Sequence, residues 1–229
     1  MKKIIFVLIL FLSCYIVYNL TNTSKVYYLA LGDSISKGIN IYGANSYGYT
    51  YYVRDYLKDN NRLEEFNGDY TDGDYRITDL ISMIRYNDVK NINGKDISIN
   101  RLLKKADIIT LSIGINELYY KLGSDDVNIY SYMNDLIDDM DVLLTYINQF
   151  NHKKVFVLGY YNISDYQEEV DYINNKLREL VINQGFEYVD LSKIFDNNPS
   201  FFDKKNNFIP NNDGYLKISK IIVEKLENY

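Results

Sequence analysis

The sequence predicts an α/β fold, a three-layer α/β/α sandwich built on a mostly parallel five-stranded sheet. Short, unbroken apolar runs recur along the chain and read as strands buried on both faces. Longer amphipathic stretches with helical periodicity lie between them. Strand and helix alternate almost throughout, the pattern of parallel strands joined by covering helices.

The elements follow in chain order. Val26 to Leu31 (VYYLAL) is a buried strand that ends at Gly32. Tyr47 to Asp59 is helical in pattern, and Leu63 to Asn67 is a short strand candidate. Ile77 to Tyr86 is a short helix, and Asn87 to Asn100 reads as a loop or insertion. Ile108 to Ile113 (IITLSI) is a clear buried strand. Val127 to Phe150 is a long helix with apolar residues at Leu136, Met140, Leu143, Leu144 and Ile147. Val155 to Gly159 is another buried strand, Glu168 to Asn183 a helix closed by Gly185, and Tyr188 to Leu191 a strand. Gly214 to Leu226 is a closing helix that Asn212 or Asp213 could cap.

Composition bounds the function. With 229 residues, 47% hydrophobic and 24% charged, the chain can bury a core and is not disordered. It divides into residues 1–25, a candidate anchor and linker, and one domain over 26–229. A net charge of −6 repels phosphate backbones and argues against nucleic acid as a partner. One cysteine, Cys14, and one histidine, His152, leave no disulfide within the domain and no Cys or His metal cluster. Nothing calls for a metal or an organic cofactor. Oligomeric state is not legible.

Lys2 and Lys3 precede an apolar run over residues 4–20, broken only by Ser13 and Asn19. A membrane-spanning helix needs roughly 17 or more such residues, and this run just reaches that. Positive charge before it places the rest of the chain on the extracytoplasmic side of a single-pass anchor. Phe11-Leu12-Ser13-Cys14 faintly resembles a lipoprotein cleavage box, yet residues 15–18 stay apolar, which favours an uncleaved anchor over lipidation at Cys14.

In a parallel sheet, ligands sit at the carboxyl ends of the strands. Gly32-Asp33-Ser34 follows the first strand, a setting that suits a nucleophilic hydroxyl on a tight turn beside a free backbone N–H. Alone the tripeptide is a weak signal, since an ordinary capped turn reads the same. Gly114-Ile115-Asn116-Glu117 follows the strand at 108–113, and an asparagine there can aim its amide at a developing oxyanion. A helix-starting turn also favours Asn. No glycine-rich phosphate loop follows the first strand, because Gly32 and Gly38 fit neither dinucleotide nor P-loop spacing.

Together these blocks resemble the SGNH (GDSL-type) hydrolases, from Val26 to the C-terminus. The family's Leu-Gly-Asp-Ser stands as Leu31-Gly32-Asp33-Ser34, and its Gly-x-Asn-Asp as Gly114-Ile115-Asn116-Glu117. Its last block, Asp-x-x-His-Pro-Asn-x-x-Gly-Tyr, aligns with residues 206–215, which retain Pro210, Asn211, Gly214 and Tyr215. The resemblance implies a flavodoxin-like sheet and hydrolysis of carboxylic esters: lipids, acylated glycans or small acyl esters. It implies Ser34 as nucleophile and Gly73 and Asn116 in the oxyanion hole, with Gly68 the alternative to Gly73.

The departure lies in that last block. Ile209 stands at the histidine position and Asn206 at its partner Asp. Ile has no lone pair, and a general base is typically worth about 10²–10⁴ in rate. His152 is expected at the amino end of its strand, about 20 Å from the active edge at roughly 3.3 Å per residue. Asp203, Asp213 and Glu117 are conceivable replacement bases, though capping or solvation accounts for each, and none is assigned. Two readings stay open: an ester hydrolase that is slow or uses another base, and a non-catalytic relative that binds a glycan, an acyl ligand or an envelope protein.

Overall fold

The computed structural model describes residues 13, 24–124, 128–150, 152, 154–162, 166–196, 198–203 and 206–228. The expected anchor over residues 4–20 lies outside the described residues except for Ser13. Among the described residues no helix is long and apolar enough to cross a membrane.

Strand β1 (Val26–Gly32) leads through the short helix α1 (Ser34–Lys37) and a loop to α2 (Tyr49–Asp59) and β2 (Leu63–Thr71). Helix α3 (Ile77–Arg85), the hairpin β3 (Val89–Ile92) and β4 (Lys95–Ser98), and α4 (Ile99–Lys105) follow. Then come β5 (Ile108–Ser112), α5 (Ile115–Leu122), α6 (Ile129–Asn148), β6 (Lys154–Leu158), α7 (Gln167–Asn183) and β7 (Glu187–Val189). The chain closes with α8 (Ser192–Phe195), a 3-10 turn, the hairpin β8 (Phe202–Asp203) and β9 (Asn206–Pro210), and α9 (Asn212–Glu227).

The main sheet has five strands in the order β2-β1-β5-β6-β7, and every pairing in it is parallel. The three-layer expectation therefore holds. Strands β1, β5 and β6 are the continuous apolar runs because both their faces are covered: every residue of β5 is buried. Helices α2 and α9 pack together, and α3, α6 and α7 pack in a row. Right-handed crossovers put a connection running leftward, such as α2, on one face and those running rightward on the other.

Several expectations are corrected. Residues 87–100 are a hairpin and the start of α4, turned by Asn93 and Gly94 at φ 51 and 78. That left-handed pair is the type I′ turn that Asn-Gly favours. Tyr47 and Gly48 precede α2 rather than opening it. The closing helix is capped by Asn211, whose side chain accepts the Gly214 N–H at 3.0 Å, and not by Asn212 or Asp213. Strand β2 runs to Thr71, four residues beyond its expected end at Asn67, which brings the chain to the active edge just before Gly73.

Candidate active site

The Gly32-Asp33-Ser34 turn is dictated by a close approach. Gly32 lies opposite Ser112 in the β1–β5 ladder at φ +132, and a Cβ there would come within 1.9 Å of the Ser112 carbonyl oxygen. Only glycine lets the two strands end side by side. The chain then turns over Asp33 into α1, with Ser34 at its first helical position and 5% exposed.

Buried polar groups fix this turn from below. Ser36 Oγ donates to the Leu31 carbonyl at 2.8 Å and meets Tyr49 Oη at 2.9 Å. Thr50 Oγ1 donates to the Ser36 carbonyl at 3.1 Å, tying α2 to α1. Sequence reasoning missed Ser36, which no pattern distinguishes from an exposed turn residue.

Asp33 joins the turn after β1 to the turn after β5. Its Oδ1 accepts the Ile35 N–H at 3.1 Å and its Oδ2 the Ile115 N–H at 3.3 Å. Complete burial pushes its carboxyl up to about 7, against the pull of those amides. The sign of the linkage follows. A carboxyl that holds its proton more tightly when folded loses stability for the fold as pH rises from about 4 through about 7. At 1.36 kcal/mol per pH unit the loss is at most about 4 kcal/mol. The urea midpoint is expected to be lower at pH 8 than at pH 5, and Asp33→Asn to flatten that slope. An unchanged slope in the variant contradicts this assignment.

Asn116, in the first turn of α5, brings the predicted site residues together. Its Nδ2 donates to the Gly73 carbonyl at 2.8 Å, and its Oδ1 accepts from Ser34 Oγ at 3.1 Å. A carbonyl can only accept, so Gly73 decides which way the carboxamide faces. One side chain thus bridges Ser34 and Gly73. Among the described residues no acceptor meets the N–H of Ser34 or of Gly73. Gly68, the alternative, lies within β2, where its carbonyl accepts from Thr71 Oγ1 at 2.7 Å.

Gly114 starts α5 at φ +91, where a Cβ would meet Tyr160 Oη at 2.7 Å. Tyr160 in turn donates to the Ile113 carbonyl at 3.2 Å. Its own backbone is clamped by Asn174, which accepts the Tyr160 N–H and donates to the Tyr160 carbonyl, both at 2.8 Å. Asn174 had a legible signal that went unused: it occupies a core position between Val170, Ile173 and Leu177 on α7.

No imidazole reaches this site. His152 Nδ1 lies 2.9 Å from the Ala106 carbonyl, just before β5, at the amino edge of the sheet. The length of β5, on the order of 15 Å, separates that edge from Ser34. Ile209 is half-buried in β9, and Asp203 is half-buried opposite Asn206 in the β8–β9 pairing. Glu117 is not the solvated residue expected. It is half-buried, and its Oε2 accepts the Ile77 N–H at 3.1 Å at the start of α3. Among the described residues, Ser34 Oγ makes its hydrogen bond to an amide oxygen and to no carboxylate.

The scaffold of the last block is nevertheless in place. Asn211 Nδ2 donates to the carbonyls of Ser200 at 2.8 Å and Phe202 at 3.2 Å. Tyr215 Oη donates to the Ile39 carbonyl at 2.9 Å, and the Ile39 N–H donates to the Ser34 carbonyl at 3.0 Å. An open cleft of about 680 Å³ runs from Gly73 and Asn116 past Arg76, Glu117 and Lys121, with the rings of Tyr75, Tyr120 and Tyr132 along it. Among the described residues no group of three or more His, Cys, Asp or Glu side chains is placed to hold a metal ion.

Comparison with solved structures finds the same fold among enzymes. The lipase Lip_vut3 from a goat rumen metagenome superposes with a TM-score of 0.67 at 20% identity, covering 87% of this chain and 97% of its own. A catalytic mutant of Axe2, an acetylxylan esterase from Geobacillus stearothermophilus, gives 0.68 at 15% identity, covering 90% and 96%. LAE5, an alpha/beta hydrolase enzyme from the metagenome of Lake Arreo, Spain, gives 0.64 at 19% identity, covering 90% and 96%. No curated protein sequence matches the chain. The family model for GDSL-like lipases and acylhydrolases matches residues 28–222, a span that takes in the Ser34 turn, the Gly73 loop, Asn116 and the altered last block, and the chain belongs to that family.

Proposed function

We propose that the chain is a slow carboxylic ester hydrolase in which Ser34 is the nucleophile. The observation that carries this reading is the Asn116 carboxamide, which touches both Ser34 Oγ and the Gly73 carbonyl. Attack by Oγ on an ester carbonyl would place the developing oxyanion beside the N–H groups of Ser34 and Gly73 and the second N–H of Asn116 Nδ2, the one that the Gly73 carbonyl does not take. The Oγ proton would pass to solvent, and the alcohol would leave before water releases the acyl group. Without an imidazole the turnover should fall about 10²–10⁴-fold below that of a complete site.

The cleft supports a polar ester as substrate. Tyr75, Tyr120 and Tyr132 line it together with Arg76 and Lys121, a mixed aromatic and cationic lining that suits a sugar or a similar compact polar group. Release of p-nitrophenol from its acetate and butyrate esters tests the reading. Slow turnover that drops to the uncatalysed background in Ser34→Ala is expected. Activity that survives the substitution removes Ser34 from the chemistry.

A second reading is favoured by Ile209 and Asn206: a family member that keeps the cleft and binds an ester or glycan without cleaving it. It is distinguished by saturable binding of an acylated oligosaccharide with no turnover.

A further inference from the structure

Asn116 and Glu117 are consecutive residues in the first turn of α5, and they hold opposite ends of one loop. Asn116 Nδ2 takes the Gly73 carbonyl at 2.8 Å, and Glu117 Oε2 takes the Ile77 N–H at 3.1 Å. Ile77 is the first residue of α3, so its N–H has no acceptor within its own helix. The neighbouring Arg76 N–H is taken by Asp79 Oδ2 at 2.8 Å, from within α3. Glu117 is therefore the outside contact that docks the start of α3, and with it the Gly73 loop, onto the helix carrying Asn116.

We propose that Glu117 is a positioning residue, whose carboxylate holds the 73–77 loop so that the Gly73 N–H stays in register with Ser34 and Asn116. The consequence for chemistry rests on the reading of Ser34 as nucleophile, while the holding of the loop does not. The family block has Asp at this position, and the longer Glu side chain here reaches across to α3.

The surroundings make this hold sensitive to acid. Arg76 and Asp79 face Glu117 from the start of α3, Asp139 and Tyr132 from α6, Asp33 from the nucleophile turn and Tyr160 from the end of β6. Burial is the main reason that its carboxyl is raised above the usual glutamate value. Asp139 and Asp79 add to the rise, and the Ile77 N–H and Arg76 oppose it. As pH falls, Glu117 takes up a proton sooner than an exposed glutamate would, and the charge-assisted bond to Ile77 is lost.

The test is amide hydrogen exchange on the full-length chain, wild type against Glu117→Gln, a substitution that keeps an acceptor and removes the charge. Protection of the Ile77 amide is expected to fall about tenfold in the variant at neutral pH, with the α9 amides unchanged. In the wild type, that protection should also fall on acidification, while the variant stays flat over the same range. Equal protection of Ile77 in both proteins, or the same pH profile in both, overturns the proposal. A second arm follows covalent labelling of Ser34 by a fluorophosphonate, read as intact mass. Slower labelling of Glu117→Gln is expected, and an unchanged rate overturns the link to the oxyanion hole. If wild-type Ser34 does not label at all, the hydrolase reading fails, and the exchange arm still decides the role of Glu117.

Discussion

Ester turnover is expected to rise about 10²–10⁴-fold when Ile209→His and Asn206→Asp are introduced together, the span typical of a general base. The surrounding frame for an imidazole is retained. Pro210 and Asn211 follow position 209, and Asn211 is bonded to the Ser200 and Phe202 carbonyls and to the Gly214 N–H. Tyr215, one turn further, is tied through Ile39 to the carbonyl of Ser34 itself. On the proposed reading the double variant supplies the missing base to the Ser34 hydroxyl, so the gain should appear in kcat more than in KM. Each single variant is expected to gain less, because an imidazole without a carboxylate lacks a fixed tautomer and a carboxylate without an imidazole has nothing to orient. Steady-state kinetics on p-nitrophenyl acetate measure this. A double variant no faster than the parent means that the Ser34, Gly73 and Asn116 groups do not work as an acyl-transfer site.

Gly32→Ala is expected to cost more than about 4 kcal/mol and to leave little folded protein, a loss that is exceptional for one methyl group. The added carbon would sit 1.9 Å from the Ser112 carbonyl oxygen and 2.8 Å from Ser36 Oγ, and the first of these is backbone in a central strand. Relief would require separating β1 from β5 at the point where both deliver their functional turns. Gly43→Ala is the control. Gly43 is also left-handed, at φ +74, but its Cβ would meet nothing within 4 Å. It should cost only the conformational penalty of about 1–2 kcal/mol. Denaturation midpoints for the two variants compare steric conflict with backbone strain. Similar small losses in both would mean that the β1–β5 approach is looser than described.

Much of the fold was legible because burial on two faces leaves an unmistakable mark. The runs at 26–32, 108–112 and 154–158 are apolar but for Gly32, Thr110, Ser112 and Lys154, and they form the centre of the sheet. Strand β2 lies at the sheet's edge, and its alternation of exposed and buried residues blurs where it ends. The hairpin at 89–98 was passed over even though Asn93-Gly94 marks its turn, because its exposed strands lack apolar runs. Helix α5 hid behind the motif that opens it, although Ile115, Leu118 and Leu122 already carry helical spacing. In the candidate site, Ser34 and Asn116 could be proposed because each follows a strand's carboxyl end, and Gly73 only through the family resemblance. Ser36 could not, and Glu117 could be read only as a conceivable base. Their roles come from contacts made across the fold, Ser36 to the end of β1 and to Tyr49, and Glu117 to a helix start forty residues earlier.

On the proposed reading Ser34 is a nucleophile with oxyanion donors beside it and no general base, its hydroxyl proton resting on the Asn116 amide oxygen. The most direct measurement is the rate at which a fluorophosphonate modifies Ser34 as a function of alkaline pH, followed as adduct mass. The expected rate climbs about tenfold per pH unit from about pH 7.5 to 9.5 with no plateau, since hydroxide alone removes the proton. A fast, pH-independent rate over that range would mean that a group within the chain already serves as the base.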